Sequence, residues 1–209
     1  MYIRERCPLC NNESRIKEIL KVDQNFENFI DSYYGDGGFK KISQYVDNAI
    51  TYSQCIQCKL IYQQNILSEK GMFMLYEKLI DPEKSLKKRL SYSAKQNLRG
   101  VLLLFTLIFK IKKPIKNIII VDLGMGFGNM LSYAKALGCI TSFGVELSQL
   151  RIDYAKNNFG IDSYSSLSDF EDNSIDLIIS NQSLEHIPDV RNNLDLIEQK
   201  LALGGLTYI

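Results

Sequence analysis

Apolar and polar positions change rhythm near residue 117. Beyond it, short apolar blocks alternate with amphipathic stretches. Ile118–Val121 is a continuous apolar run of the kind buried on both faces of a parallel sheet. Further strand blocks fall at 140–146, near 162–165 and at Ile175–Ser180, and another starts at Leu206–Ile209. Between them the spacing predicts helices over 129–137, 149–158 and about 190–202. Strand–helix alternation of this kind predicts an α/β fold built on a doubly wound, mostly parallel sheet.

The first 116 residues lack that alternation. Tyr33–Gly38 is the turn-rich centre of a weakly periodic stretch, 23–50, that reads as an insertion. Residues 69–80 place Met72, Leu75, Tyr76 and Leu79 on one helical face. Two more helices are predicted over about 85–99 and 100–112. The second is apolar around most of its circumference, which predicts burial against another element. Pro114 closes the region.

Composition narrows the class. The chain has 209 residues, 45% hydrophobic and 23% charged, which are globular values and exclude disorder and collagen-like repeats. A net charge of +1 conceals an asymmetry: residues 1–116 hold 20 basic and 12 acidic side chains, residues 117–209 hold 5 and 12. Such a split points to parts with different tasks. The first twenty residues carry three arginines, a lysine and three glutamates and no apolar stretch of signal length. The longest apolar run, Val101–Phe109, falls well short of the roughly 20 residues a membrane span needs. A soluble, cytoplasmic chain with no membrane span is the expectation.

The most informative segment is Val121-Asp122-Leu123-Gly124-Met125-Gly126-Phe127-Gly128-Asn129. Alternate glycines let the backbone turn sharply from strand to helix and let a ligand approach without a Cβ in the way. The following helix offers unpaired N–H groups. Glu146 stands eighteen residues after Gly128, at the end of the second strand, where a carboxylate can accept both hydroxyls of a ribose. A dinucleotide fingerprint counted from Gly124 would need glycine where Asn129 stands. Asp122, two residues before the first glycine, can face a ligand amine but would repel a pyrophosphate. An amino-acid-bearing cofactor fits better than NAD, and an NAD-type oxidoreductase is the weaker reading.

These residues, together with F-G-V-E-L-S, N-S-I-D-L-I-I-S-N-Q-S-L-E-H-I-P-D and L-A-L-G-G-L-T-Y-I, resemble the class I S-adenosylmethionine-dependent methyltransferases over residues 115–209. The resemblance implies a Rossmann-like domain in which Gly124, Gly126 and Gly128 line the methionine and ribose portion of S-adenosylmethionine. It also implies that Asp122 lies near the amino-acid end, that Glu146 holds the ribose, and that Asn181 and Gln182 flank the methyl-donor face. Three departures stand out. Met125 replaces a small residue, and either narrows the pocket or packs. The acid expected after strand three is replaced by Tyr164–Asp169, leaving a serine hydroxyl, Asp169 or backbone to meet the adenine amine. The sequence ends at Ile209 inside a core strand, which reads as truncation. No general base is legible. Gln182 and His186 are the candidates for a catalytic role; Glu185 and His186 also fit a structural turn.

Cys7, Cys10, Cys55 and Cys58 form two Cys-x-x-Cys pairs, the ligand set of a closed four-thiolate zinc site, which would be structural. Four reduced buried cysteines are the alternative. Cys139 reads as a small apolar residue opening strand two. The arrangement C-P-L-C, then Y-S-Q-C-I-Q-C-K-L-I-Y, resembles the amino-terminal zinc region of a methyltransferase subgroup, many of whose members act on sugars or saccharide precursors. The chain then divides into a zinc-binding module at 1–68, connecting basic helices at 69–116 and an S-adenosylmethionine-binding domain at 117–209, incomplete after strand five.

Residues 84–116 carry ten Lys or Arg and no acid. They form a solvated face, or draw an anionic substrate toward the cleft, or, with Lys110, Lys112 and Lys113 beside an apolar helix, favour an anionic membrane surface. Two readings of function follow. One is a methyltransferase acting on a small anionic or saccharide-type acceptor such as a nucleotide sugar. The other is a non-catalytic zinc protein that binds nucleic acid or a protein partner.

Overall fold

The computed structural model describes residues 2–13, 16–21, 28–29, 31–32, 51–68, 71–72, 75 and 82–209. Most of the predicted insertion at 23–50 and of the predicted helix at 69–80 lies outside the described residues. The chain divides into two units, Met1–Pro82 and Glu83–Ile209.

The first unit is built from short antiparallel strands. β1 (Tyr2–Ile3) pairs with β5 (Asn65–Ile66). β3 (Thr51–Cys55) lies between β2 (Ile16–Lys21) and β4 (Ile61–Gln63). β3 alternates buried and half-buried positions, the period-two pattern of a strand with one covered face.

In the second unit, α1 (Pro82–Leu90) and α2 (Ala94–Lys110) precede the sheet. The sequence placed the break between them at 99–100. It falls at 91–93, because Ser93 and Gln96 form a capping box: the Ser93 hydroxyl accepts the Gln96 N–H, and the Gln96 side chain accepts the Ser93 N–H. Gly100 continues the helix. Its missing side chain admits the Tyr133 ring, 2.6 Å from where a Cβ would stand. Leu104 and Ile108 are buried in the core, as the expected burial against another element requires, and the helix also keeps an exposed apolar side.

The sheet consists of β6 (Ile119–Leu123), β7 (Thr141–Val145), β8 (Asp162–Tyr164), β9 (Ile175–Ile179) and β10 (Leu201–Tyr208). All neighbours are parallel, in the order β10-β9-β6-β7-β8. This is the expected doubly wound, Rossmann-like arrangement. α3 (Asn129–Ala136) and α4 (Gln149–Phe159) contribute to the core on one face, and α5 (Val190–Lys200) to the core on the other. β9 is buried along its whole length. Strand order reverses at β6, so the carboxyl ends of β6, β7 and β9 frame the crevice where ligands bind in open α/β sheets. β10 starts five residues earlier than predicted. Leu201 pairs with Ile175, an irregularity containing Gly204 (φ 78°) intervenes, and Leu206 resumes pairing with Leu177. No helix among the described residues is long and apolar enough to cross a membrane.

Asp176 fixes where the sheet begins. Its buried carboxylate accepts the Ile119 N–H at 2.9 Å and the Lys113 ammonium at 2.8 Å. We expect Asp176→Ala to lower the free energy of unfolding by roughly 1–3 kcal/mol, the cost of orphaning a buried N–H, as read from urea denaturation. An unchanged midpoint would remove Asp176 from the fold's supports.

Candidate functional site

The turn after β6 is built on glycine. Gly124, Gly126 and Gly128 have φ of 79°, 55° and 77°, a left-handed conformation that strains other residues. The N–H groups of Gly124 and Met125 both donate to the Val145 carbonyl, which ties the turn to the end of β7. Met125 is buried and packs over Gly144 of β7, where a Cβ would stand 1.9 Å from its sulfur. Gly126 differs from its neighbours: nothing lies within 4 Å of where its Cβ would be. At Gly126 the turn therefore offers a short strip of backbone open to a ligand.

Glu146 follows β7 and faces this strip. Its Oε2 accepts the Gly126 N–H at 3.0 Å, and its Oε1 accepts the N–H groups of Leu147 and Ser148 at 2.9 and 3.0 Å. Arg151, one turn into α4, brings Nη1 to 3.6 Å from Oε2 and its guanidinium over the Phe127 ring. Three backbone donors fix the carboxylate's orientation. Such a carboxylate can still accept hydroxyls through its remaining lone pairs.

Asp122 lies near the end of β6, buried. Removal from water, and secondarily the charge of Glu146, raise its carboxyl to about 7. A cationic group at the site would favour its ionised form. Asn181 and Gln182 follow β9 on the other flank of β6 and are exposed. Gln182 has φ of 55°, uncommon for a non-glycine residue. Next to it, Ser183 shares a 2.8 Å hydrogen bond with Ser180, and its hydroxyl donates to the Leu123 carbonyl. A Cβ on Gly124 would collide with Ser183 at 2.4 Å. The segment after β9 is thus packed on the first glycine of the turn. His186 is exposed beside Glu185, 4.0 Å away, in a short helical turn, Leu184–His186, anchored by buried Leu184.

The structure brings Asp122, the three glycines and Glu146 to the carboxyl ends of adjacent strands, with Asn181 and Gln182 across β6. Sequence reasoning did not single out Ser183 or Arg151. The spacing of Ser180 and Ser183 and the charge five residues after Glu146 were the available signals, and neither belongs to a motif by itself.

The cysteines converge in the first unit. The four sulfur atoms of Cys7, Cys10, Cys55 and Cys58 lie within 4.8 Å of one another, with Cys7–Cys58 at 3.5 Å and Cys10–Cys55 at 3.6 Å. Tetrahedral thiolates at about 2.3 Å from a zinc ion stand about 3.8 Å apart, so the donor set fits. Both knuckles are closed alike. Asn11 and Lys59 donate to the carbonyls of Cys7 and Cys55, and both have positive φ, 56° and 65°. Backbone N–H groups, first that of Cys58, pull the Cys55 thiol down to about 6, whereas burial pushes Cys7 up to about 12. Cys139 is buried in the core of the second unit.

The stretch 121–209 matches the family model of the methyltransferase domain. None of the curated proteins matches the chain. Among solved structures it is similar to a candidate S-adenosyl-l-methionine-dependent methyltransferase of Methanococcus maripaludis, at 21% identity and TM-score 0.48, over 56% of this chain and 57% of that one. It is also similar to an S-adenosylmethionine-dependent methyltransferase of Mesorhizobium loti, at 26% identity and TM-score 0.42, over 50% and 49%. A third is the geranyl diphosphate C-methyltransferase of Streptomyces coelicolor A3(2), solved with Mg2+, geranyl diphosphate and S-adenosyl-L-homocysteine, at 17% identity and TM-score 0.44, over 56% and 50%. The chain spans about half the length of these structures.

Asp122 yields a test by proton linkage. Its carboxyl sits near 7 in the folded chain and near 3.9 unfolded, so the native state holds the extra proton in between. Stability from this group is complete below about pH 4 and declines as pH rises through about 7. Relative to Asp122→Asn, the wild-type chain is expected to lose on the order of 4 kcal/mol across that window, as read from urea unfolding at a series of pH values. Parallel curves for the two proteins would contradict the assignment.

Proposed function

We propose, on the premise that residues 121–209 are a methyltransferase domain, that this chain binds S-adenosylmethionine and transfers its methyl group to a small anionic or saccharide-type acceptor, such as a nucleotide sugar. The observation that carries the reading is the Glu146 carboxylate, held by the N–H of Gly126, where no side chain stands in the way. When bound, the cofactor supplies an electrophilic methyl group on a sulfonium centre. Glu146 accepts the ribose hydroxyls, and the glycine turn follows the adjoining chain. Asp122 faces the ammonium group of the amino-acid end and gives up its proton as that charge arrives. Asn181 and Gln182 border the opening where the acceptor approaches. Rate enhancement comes from alignment and exclusion of water. The exposure of His186 and its place in a turn favour a structural part for it. Ten basic residues in 84–116 add a positive field that favours an anionic acceptor.

Calorimetric titration with S-adenosylmethionine tests this reading. We expect the wild-type chain to bind and not to bind NAD. Glu146→Ala and Gly126→Val should each weaken binding at least tenfold, the second by filling the open strip. A folded wild-type chain that binds no S-adenosylmethionine would overturn the reading and favour a non-catalytic protein that binds nucleic acid or a partner.

In the same proposal the four cysteines hold a structural zinc. With all four positions taken by thiolates, no site remains for water or substrate, so the ion serves folding. We expect one equivalent of zinc in the purified chain, its loss in Cys7→Ser and Cys55→Ser, and a lower melting temperature of the first unit with a strong chelator. A metal-free wild-type chain with an unchanged melting curve would refute it.

A further inference from the structure

The apolar stripe on the exposed side of α2 has no part in the proposed methyl transfer. Leu98, Leu102, Phe105 and Phe109 are 56%, 54%, 51% and 80% exposed. Their spacing of 4, 3 and 4 residues sets them in one narrow line, roughly 16 Å long at 1.5 Å per residue. Isolated surface hydrophobics need no explanation, but an unbroken stripe on one helix does. The stripe lies well away from Leu104 and Ile108, which point into the core. On the same helix Lys95, Arg99 and Lys110 run along one flank of the stripe, some 60–120° around the axis at 100° per residue. Lys112 follows its end, while Lys113 is engaged with Asp176.

We infer that α2 is a membrane-surface helix that seats this unit on an anionic lipid bilayer. Phenylalanine and leucine would enter the boundary between headgroups and acyl chains, and the flanking cations would meet the lipid phosphates. Charge complementarity selects this occupant. Residues 84–116 carry ten cations and no acid, while residues 117–209 hold 12 acids against 5 bases. The cations are therefore concentrated in the two helices that include the apolar stripe and in the segment that follows them. A second copy docking antiparallel through the same stripe would bring like-charged rows together. The inference is independent of cofactor binding.

The chain contains no tryptophan, so Phe109→Trp introduces a single reporter at the stripe's most exposed position. The experiment mixes the full chain with vesicles of phosphatidylcholine alone, or with about 30% phosphatidylglycerol, at about 0.1 M salt, where surface charges are still felt over roughly 10 Å. We expect sedimentation with the anionic vesicles only, with a blue shift of the tryptophan emission. Leu102→Gln with Phe105→Gln should cut vesicle partitioning at least tenfold and leave the melting temperature unchanged. Lys95→Glu with Lys110→Glu should do the same. Three results would overturn the inference. The wild-type chain could stay in the supernatant, the glutamine variant could sediment like wild type, or the wild-type chain could form a dimer that the glutamine variant abolishes.

Discussion

The carboxylate of Glu146 joins the two strands on which the candidate site is built. It reaches from the end of β7 to the backbone of the turn after β6 and accepts the Gly126 N–H. That bond requires the turn to come close, and closeness requires three left-handed residues in alternation. The Val145 carbonyl holds the turn from the other side, through Gly124 and Met125. Loss of this geometry would separate the acid from the open backbone strip, leaving an ordinary parallel sheet with a loose loop.

The packing around the turn follows from the same constraint. Gly144 has no side chain because Met125 occupies that space, and Gly124 has none because Ser183 does. The turn is clamped between β7 and the segment after β9, and only Gly126 faces open space. Asp122 sits beneath it in a dry setting, where an acid holds its proton up to about neutral pH. Burial that costs stability here leaves a group ready to respond to a cation, a trade that binding sites make often.

Much of this was legible in the sequence. The parallel strands read clearly because burial on both faces leaves continuous apolar runs, and the Asp122–Gly128 motif with Glu146 fixed the site's corner. The cysteine pairs pointed to a four-sulfur cluster that local knuckle geometry then assembles. Other features needed three dimensions. Gly100 looked like a helix break because its use, contact with Tyr133, lies 33 positions away. β10 begins at Leu201 because pairing with Ile175 overrides the helical periodicity up to 202. Met125 left two readings open until Gly144 supplied its partner. Ser183 and Arg151 acquire meaning only from neighbours distant in the sequence or on a different element. The apolar circumference of α2 predicted burial against another element, but not which line of it would meet solvent.

The central claim is that Glu146 and the open backbone at Gly126 form the ribose seat of a methyltransferase domain. A crystal structure of the chain with S-adenosylhomocysteine tests it most directly. The account predicts both ribose hydroxyls on the Glu146 carboxylate, with the ligand's amino-acid portion following the turn toward Asp122. A nucleoside bound with its ribose away from Glu146 would contradict it.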